Sequence, residues 1–403
     1  MKISIHLALR YLRSSDRASF SSFASKLAII GLGVGIAALV LTTAIYKGFE
    51  DTISNKIAGF DGHIRIQDFL GRPIPNNSAE LDSILFDFAL KHPDAQIKSF
   101  VQGPAMMRKG LNAEGIILEG LNGKKLPAAL NKIIVGGNGE LSEKTIIIGK
   151  RLADAYQLIV GDPFVVFDLS SMTDITGMKR LTQFTIGGIF HSGLVEYDNS
   201  IVYTRIEDAQ YLLNMNEEIS GNIIYLNNTD FQSAAEEIES RLGYPYYTLT
   251  WKEKHHTLFK WLAVQKLPIL LIFGMIALVA IVNIISALTM IVLEKIRSIG
   301  SLQAIGLSRR SIISLFLVKG TIIGLAGSIF GLILALFFGW VQMKYHILSI
   351  AEDIYFMDHI PVSFDFSQIL IIIIFGTICS LLASLWPTNI ASRVKPAEAL
   401  RYE

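Results

Sequence analysis

Four apolar runs stand out along the 403-residue chain. Leu27 to Tyr46 holds 20 residues without a charge, and Pro268 to Leu293 holds 26. Gly320 to Met343 is a third, extended back to Ile312 across Lys319; Ile369 to Trp386 is a fourth, of 18 residues, that meets Pro387. About 20 apolar residues in a helix cross the roughly 30 Å of a bilayer's hydrocarbon. All four runs therefore predict membrane-spanning helices. The first has a charged leader ending at Lys26 and exceeds the roughly 7–15 apolar residues of a cleaved signal. It reads as a retained anchor.

Between the first two runs the pattern changes. Strands are predicted at Gly62–Gln67, Ala113–Leu121, Thr145–Ile148, Pro163–Leu169, Gln183–Phe190, Ser200–Tyr203, Asn222–Leu226 and Tyr246–Thr250. Helices are predicted at Ser78–Lys91, Lys150–Leu158, Ile206–Leu213 and Thr229–Leu242, the last with Asp230 near its start and Gly243 at its stop. This is an α+β segment large enough for its own core or for two small lobes.

Composition agrees: 51% of residues are hydrophobic and 18% charged, against about 25% charged in a soluble protein. A net charge of +1 excludes nucleic-acid binding by bulk electrostatics. Basic residues set the orientation. Lys2, Arg10, Arg13, Arg17 and Lys26 precede the first span; Lys295, Arg297, Arg309 and Arg310 follow the second; Arg393, Lys395 and Arg401 follow the fourth. The loop 344–366 has Lys344 against Glu352, Asp353, Asp358 and Asp365. Both termini and the 294–310 loop are thus expected in the cytoplasm. The fold class is an α-helical membrane protein with four transmembrane helices and a large α+β extracytoplasmic domain inserted between helices 1 and 2. Its expected bounds are 1–26 cytoplasmic amphipathic elbow, 27–47 span, 48–267 external domain, 268–293 span, 294–311 cytoplasmic loop with a short helix, 312–343 span, 344–367 external loop, 368–387 span and 388–403 cytoplasmic tail.

Candidate chemistry is sparse. The sequence has no G-x-x-x-x-G-K-[ST] phosphate loop, no H-E-x-x-H and only Cys379. Gly120–Lys125 and Gly136–Gly139 are glycine-bearing turns of other spacing. His255 and His256 would point about 100° apart on a helix, a poor chelate. They read as surface residues near the membrane, and His63 as structural. No catalytic residue and no metal site are expected. Lys319 lies near the cytoplasmic end of its span, where its stem can carry the ammonium to the interface. Asn283, Ser286 and Thr289 share roughly one helix face, suited to helix–helix hydrogen bonds. Gly320, Gly324, Gly327 and Gly331 make two G-x-x-x-G pairs, which favour close helix packing inside the chain or at a dimer seam.

The loop from Glu294 to Arg310 is the most informative piece. Ile296, Ile299, Leu302 and Ile305 recur every three residues, with charges and Ser/Gln between them and a break at Gly306. That predicts a two- to three-turn amphipathic helix, lying on lipid or docking an apolar ridge into a partner's groove. A membrane protein without an engine of its own, carrying such a helix on the energy-rich side, invites an ATPase partner.

These residues resemble the permeases of the ABC-transporter superfamily that includes the LolC/LolE lipoprotein-releasing type, MacB and FtsX. Glu294, Ile299, Gly300, Leu302, Ala304, Gly306 and Arg310 are similar to its E-x-x-x-x-I-G-x-L-x-A-x-G-x-x-x-R coupling motif. Leu9–Arg13 resembles the LolC/LolE amino-terminal elbow; Lys47–Glu50 with Gly59–Ile66 resembles the junction into a MacB-like periplasmic core. Leu385–Arg401 is similar to the P-x-x-x-A-S-x-x-x-P-x-E-A-L-R ending, and Glu196–Asp198 with Glu207–Gln210 mark the external domain.

The resemblance implies a bacterial inner-membrane subunit, paired with a second permease, identical or homologous, and with cytoplasmic ATPases that bind ATP and Mg; no cofactor is expected in this chain. It implies ATPase coupling through Glu294, Arg297, Ile299, Gly300, Leu302, Ala304, Ile305, Gly306, Arg309 and Arg310. It also implies extraction of lipoproteins to a periplasmic chaperone by mechanotransmission. A chaperone-recruiting hook would fall at Ser170–Leu181, with Met172, Ile175 and Met178; this stretch has no proline, which such hooks usually carry. Lys319 is a second departure, since a carboxylate or amide is commoner there. FtsX-like regulation of cell-wall hydrolases or MacB-like efflux is the alternative, though the first usually has a smaller external domain and the second a fused ATPase. A membrane-anchored enzyme would need a convergent polar site that the pattern does not offer.

Overall fold

The computed structural model describes residues 20–76, 78–110, 112–169, 180–226, 230–350 and 357–393. In chain order these form α1 (Phe20–Asp61), β1 (Ile64–Asp68), β2 (Ile74–Pro75), α2 (Ala79–Lys91), β3 (Gln96–Lys109), β4 (Asn112–Leu121), α3 (Ala128–Asn131) and β5 (Ile134–Gly137). Next come β6 (Thr145–Gly149), α4 (Lys150–Ala155), β7 (Pro163–Asp168), β8 (Leu181–Phe190), α5 (Val195–Ser200), β9 (Ile201–Arg205), α6 (Ile206–Leu213), β10 (Glu218–Ile219) and β11 (Gly221–Tyr225). The remainder is α7 (Phe231–Arg241), β12 (Tyr246–Thr250), α8 (Trp251–Lys254), α9 (His256–Val264), α10 (Lys266–Glu294), α11 (Ile296–Ala304), α12 (Arg309–Tyr345) and α13 (Phe366–Ser392). Two compact units result: a helical one (Met1–Asp51, Trp261–Ser349, His359–Glu403) and an α+β one (Thr52–Lys260, Ile350–Asp358).

Among the described residues, four helices are long and apolar enough to cross a membrane. Their core is Leu32, Ile36, Val40, Ile284, Leu288, Ile323, Ala335 and Ala383 with their neighbours. The outward faces are equally apolar: Leu270, Met275, Leu278, Ile333, Phe337 and Ile371 are exposed, a surface that suits hydrocarbon and not water. The helices run beyond the apolar stretches that mark their spans. Helix α1 continues past residue 47 to Asp61. Helix α13 runs through Pro387 to Ser392, because Pro387, Thr388, Ala391 and Ser392 are all buried and packing outweighs the lost backbone bond.

The chain turns out of α1 at Gly62 (φ 75°), where a Cβ would fall 2.1 Å from Ile223 Cγ2. In the α+β unit, β3, β4, β9, β6, β8 and β7 pair in succession and β7 returns to β3, so six strands close a ring. From the first half of β3, strands β11, β1 and β12 extend an antiparallel sheet. One core runs through both parts, from Ile64, Leu85 and Phe88 to Ile148, Phe184 and Val202.

The sequence reading missed β3, the longest strand. Its outer edge pairs with β11 as far as Phe100 and with β7 from Ala105. Between them Gln102 N donates to Ser220 Oγ at 2.9 Å. Pro104, two residues on, faces the same gap, where no backbone N–H is required. Helix α5 was also missed, and so was β5.

Candidate functional site

The Glu294–Arg310 segment forms the expected short helix. Helix α10 ends at Glu294, with Lys295 N donating to Ile291 O, and α11 begins one residue later. It stops in a glycine cap: Leu307 N donates to Leu302 O and Gly306 N to Gln303 O, both at 3.0 Å, with Gly306 at φ 99°. Ser308 Oγ then accepts from Ser311 N at 3.3 Å and starts α12.

The apolar ridge is not a single outward stripe. A step of three residues falls about 60° short of a full helical turn, so three steps wind through about 180°. Ile299 and Gly300 are buried against the bundle. Leu302 is half-buried and lines a groove with Ile291, Ile299, Leu307, Phe316 and Lys319. Ile305 is 84% exposed. Glu294, Arg297, Ala304, Gly306, Arg309 and Arg310 are also exposed, with Lys295 Nζ 3.4 Å from Glu294. Lys319 is a correction: its side chain does not reach outward but is buried beside α11, 4% exposed.

The four glycines pack inside the chain. A Cβ on Gly320 would meet Ser384 Cβ at 2.5 Å, and on Gly324, Ser380 Cβ at 2.7 Å, both on α13. On Gly327 it would meet Leu32 at 2.8 Å, and on Gly331, Gly33 O at 2.4 Å, both on α1. Ser380 Oγ donates to Gly320 O at 2.7 Å. Asn283 Nδ2 lies 2.7 Å from the position of a Cβ on Gly31, so its amide faces α1. Met172, Ile175 and Met178, like Leu9–Arg13, lie outside the described residues. The strands they would connect, β7 and β8, are antiparallel neighbours, with Phe167 opposite Leu181.

A second polar constellation, in the α+β unit, escaped the sequence reading. Asp61 closes α1 and is 2% exposed. Its carboxylate accepts from Lys254 Nζ (2.7 Å), Arg65 (3.2 Å), Tyr197 OH (2.6 Å) and His255 Nε2. Arg65 also reaches Glu119 at 3.3 Å and stacks over Phe100, and Gln102 Nε2 donates to Glu119 at 3.0 Å. Burial alone would raise the Asp61 pKa; His255, Arg65 and Lys254 outweigh it and hold the carboxyl well below its usual range. Burial, reinforced by Asp61, holds the Tyr197 proton firmly. His255 is therefore not the surface residue expected, whereas His256 is exposed. His63 is structural, its Nδ1 accepting from Leu226 N at 3.1 Å. Asp198 binds Ser192 and His191, and Ala209 packs on Gly120, which explains both external motifs locally. Among the described residues no group of three or more His, Cys, Asp or Glu could hold a metal ion.

Helices apolar on their outer faces, a capped helix between two of them and an α+β unit together describe a membrane permease. A family model for the MacB-like periplasmic core domain matches residues 25–241, over half of the chain, and one for the FtsX-like permease C-terminal region matches residues 270–396. The chain belongs to this family of ABC-transporter permeases. Among particular proteins, it is 28% identical to the lipoprotein-releasing system transmembrane protein LolC of Xylella fastidiosa (strain 9a5c), covering 100% of this chain and 99% of that one. It is also 28% identical to LolC of Neisseria meningitidis serogroup B, covering 98% of each. To LolE of Haemophilus influenzae it is 21% identical, covering 99% of each.

Proposed function

We propose that this chain is a permease subunit of a lipoprotein-releasing ABC transporter in the bacterial inner membrane. It couples ATP hydrolysis by a separate cytoplasmic ATPase to extraction of lipoproteins and their transfer to a periplasmic chaperone. Both termini and α11 lie in the cytoplasm, the α+β unit in the periplasm, and a second permease completes the membrane part. The coupling requirement is physical: each buried acyl CH₂ holds a lipoprotein in the bilayer by about 0.8 kcal/mol, so three chains are held by tens of kcal/mol.

The observation that carries this reading is the two-faced helix α11. Ile299 roots it in the bundle while Ile305, at its C-terminal end, projects outward. That is what a helix needs to receive a push from a partner and pass it to α10 and α12. End-to-end likeness to the LolC proteins supports the cargo. The test is Ile305→Asp in the complex with its ATPase. Because Ile305 supports no core, the variant should assemble and still lose about tenfold or more in ATP-dependent lipoprotein release to the chaperone. Undiminished release would sink the coupling assignment.

A further inference from the structure

We infer that Asp61 is the positioning residue through which movement of the spans is delivered to the α+β unit. The inference rests on the reading of the chain as an ATP-driven permease. The chain passes into the α+β unit along the end of α1 and leaves it through α8 and α9. Asp61 is the last residue of α1, Lys254 the last of α8, and His255 follows. Lys254 and Asp61 are 193 residues apart in sequence, yet Lys254 Nζ donates to Asp61 Oδ1 at 2.7 Å while His255 Nε2 meets Oδ2. Incoming and outgoing segments thus share one carboxylate.

From that carboxylate further contacts lead into α5 and the sheet. Tyr197 OH (2.6 Å) brings in α5, and Arg65 brings in β1. Arg65 carries the chain of contacts to Glu119 on β4, and Gln102 adds β3. Apolar contacts are non-directional and let surfaces slide. Charge-assisted hydrogen bonds out of water are short and directional, and a fully satisfied network stiffens what it joins. Asp61, Arg65 and Glu119 are each at most 3% exposed, so these three are shielded from competing water, while Lys254 and His255 reach them from partly exposed positions. Two moving segments held this way turn the ring of strands as one body.

The test uses the full permease with its ATPase in liposomes. With Cys379→Ala in place, spin labels at Glu236→Cys on α7 and Tyr345→Cys on α12 report the distance between the two units, with and without ATP. In the parent this distance distribution should shift with ATP. Asp61→Asn keeps the shape of the side chain and removes its charge. Lys254→Met cuts one tether whose side chain is 30% exposed, so it folds even if the first variant does not. Both should keep hydrolysing ATP while the shift is lost and lipoprotein released per ATP falls about tenfold. A core variant, Leu85→Ala, controls for stability by lowering the melting temperature while keeping the shift. Retention of the shift in both hub variants, or its loss in Leu85→Ala as well, would overturn the inference. A parent that shifts with ATP but releases no lipoprotein would refute the cargo and leave the junction tested by distance alone. A parent that does not shift would refute the permease reading, and the inference with it.

Discussion

At the scale of single residues, glycines on α12 let its backbone come close to α1 and α13. Gly331 is the tightest of the four glycines, with a Cβ position 2.4 Å from Gly33 O and 2.8 Å from Ile36 Cβ. Backbone cannot move aside as a flexible side chain can. Gly331→Leu is therefore expected to destabilise the detergent-solubilised protein by about 1–3 kcal/mol, the usual cost of overpacking. An unchanged melting temperature would mean that α1 and α12 separate more easily than they pack here. The G-x-x-x-G spacing announced this closeness, but not which helix would be met. Two neighbours divide the series: Gly320 and Gly324 take α13, Gly327 and Gly331 take α1. Spacing reports that a face is small, and only the bundle says what lies against it.

At the scale of elements, legibility followed period and length. Four long apolar helices and α11 were readable because nothing else produces such runs. The strand β3 was not, since Gly103-Pro104 interrupts it and polar residues flank it. Its pairing is decided by partners far away in sequence. The winding of the three-residue repeat in α11 was also hidden, because a spacing of three looks like one face until it is followed around the helix. The end of α11 depends on Gly306 at φ 99°. Gly306→Val places a β-branched residue in a left-handed conformation, at an expected cost of about 1–2 kcal/mol. The glycine cap should open, and ATP hydrolysis should become less responsive to lipoprotein. ATPase assays with and without cargo read this directly; a full cargo response in Gly306→Val would count against any need for that cap.

At the scale of the whole molecule, titration offers a check on the α+β unit. Burial lowers the His63 pKa from its ordinary 6.5. Well above 6.5 the ring is neutral in folded and unfolded chains alike. As pH falls below 6.5 the unfolded chain takes the proton first, so stability declines until the folded value is passed. Asp61 is depressed from 3.8, so its contribution is complete above 3.8 and is lost as pH falls below it. Melting should be flat from about pH 7 to 8, fall gently below 6.5 and fall steeply in acid. His63→Gln, which keeps an acceptor for Leu226 N, should flatten the gentle limb; calorimetry showing that limb unaltered would exclude His63 as its source. The Asp61 cluster itself could not be assembled from the sequence, where Asp61, Tyr197 and His255 are far apart and follow no period. Gly59–Ile66 and Glu196–Asp198, which hold Asp61, Arg65 and Tyr197, stood out by resemblance, but nothing in them says that they meet.

Strand β3 belongs to the closed ring with one half and to the open sheet with the other. Neither portion is a module that could be cut out, grafted or exchanged, because removing either would strip the shared strand of half its partners. Any lineage or engineer reshaping the periplasmic half of such a machine must inherit both portions together.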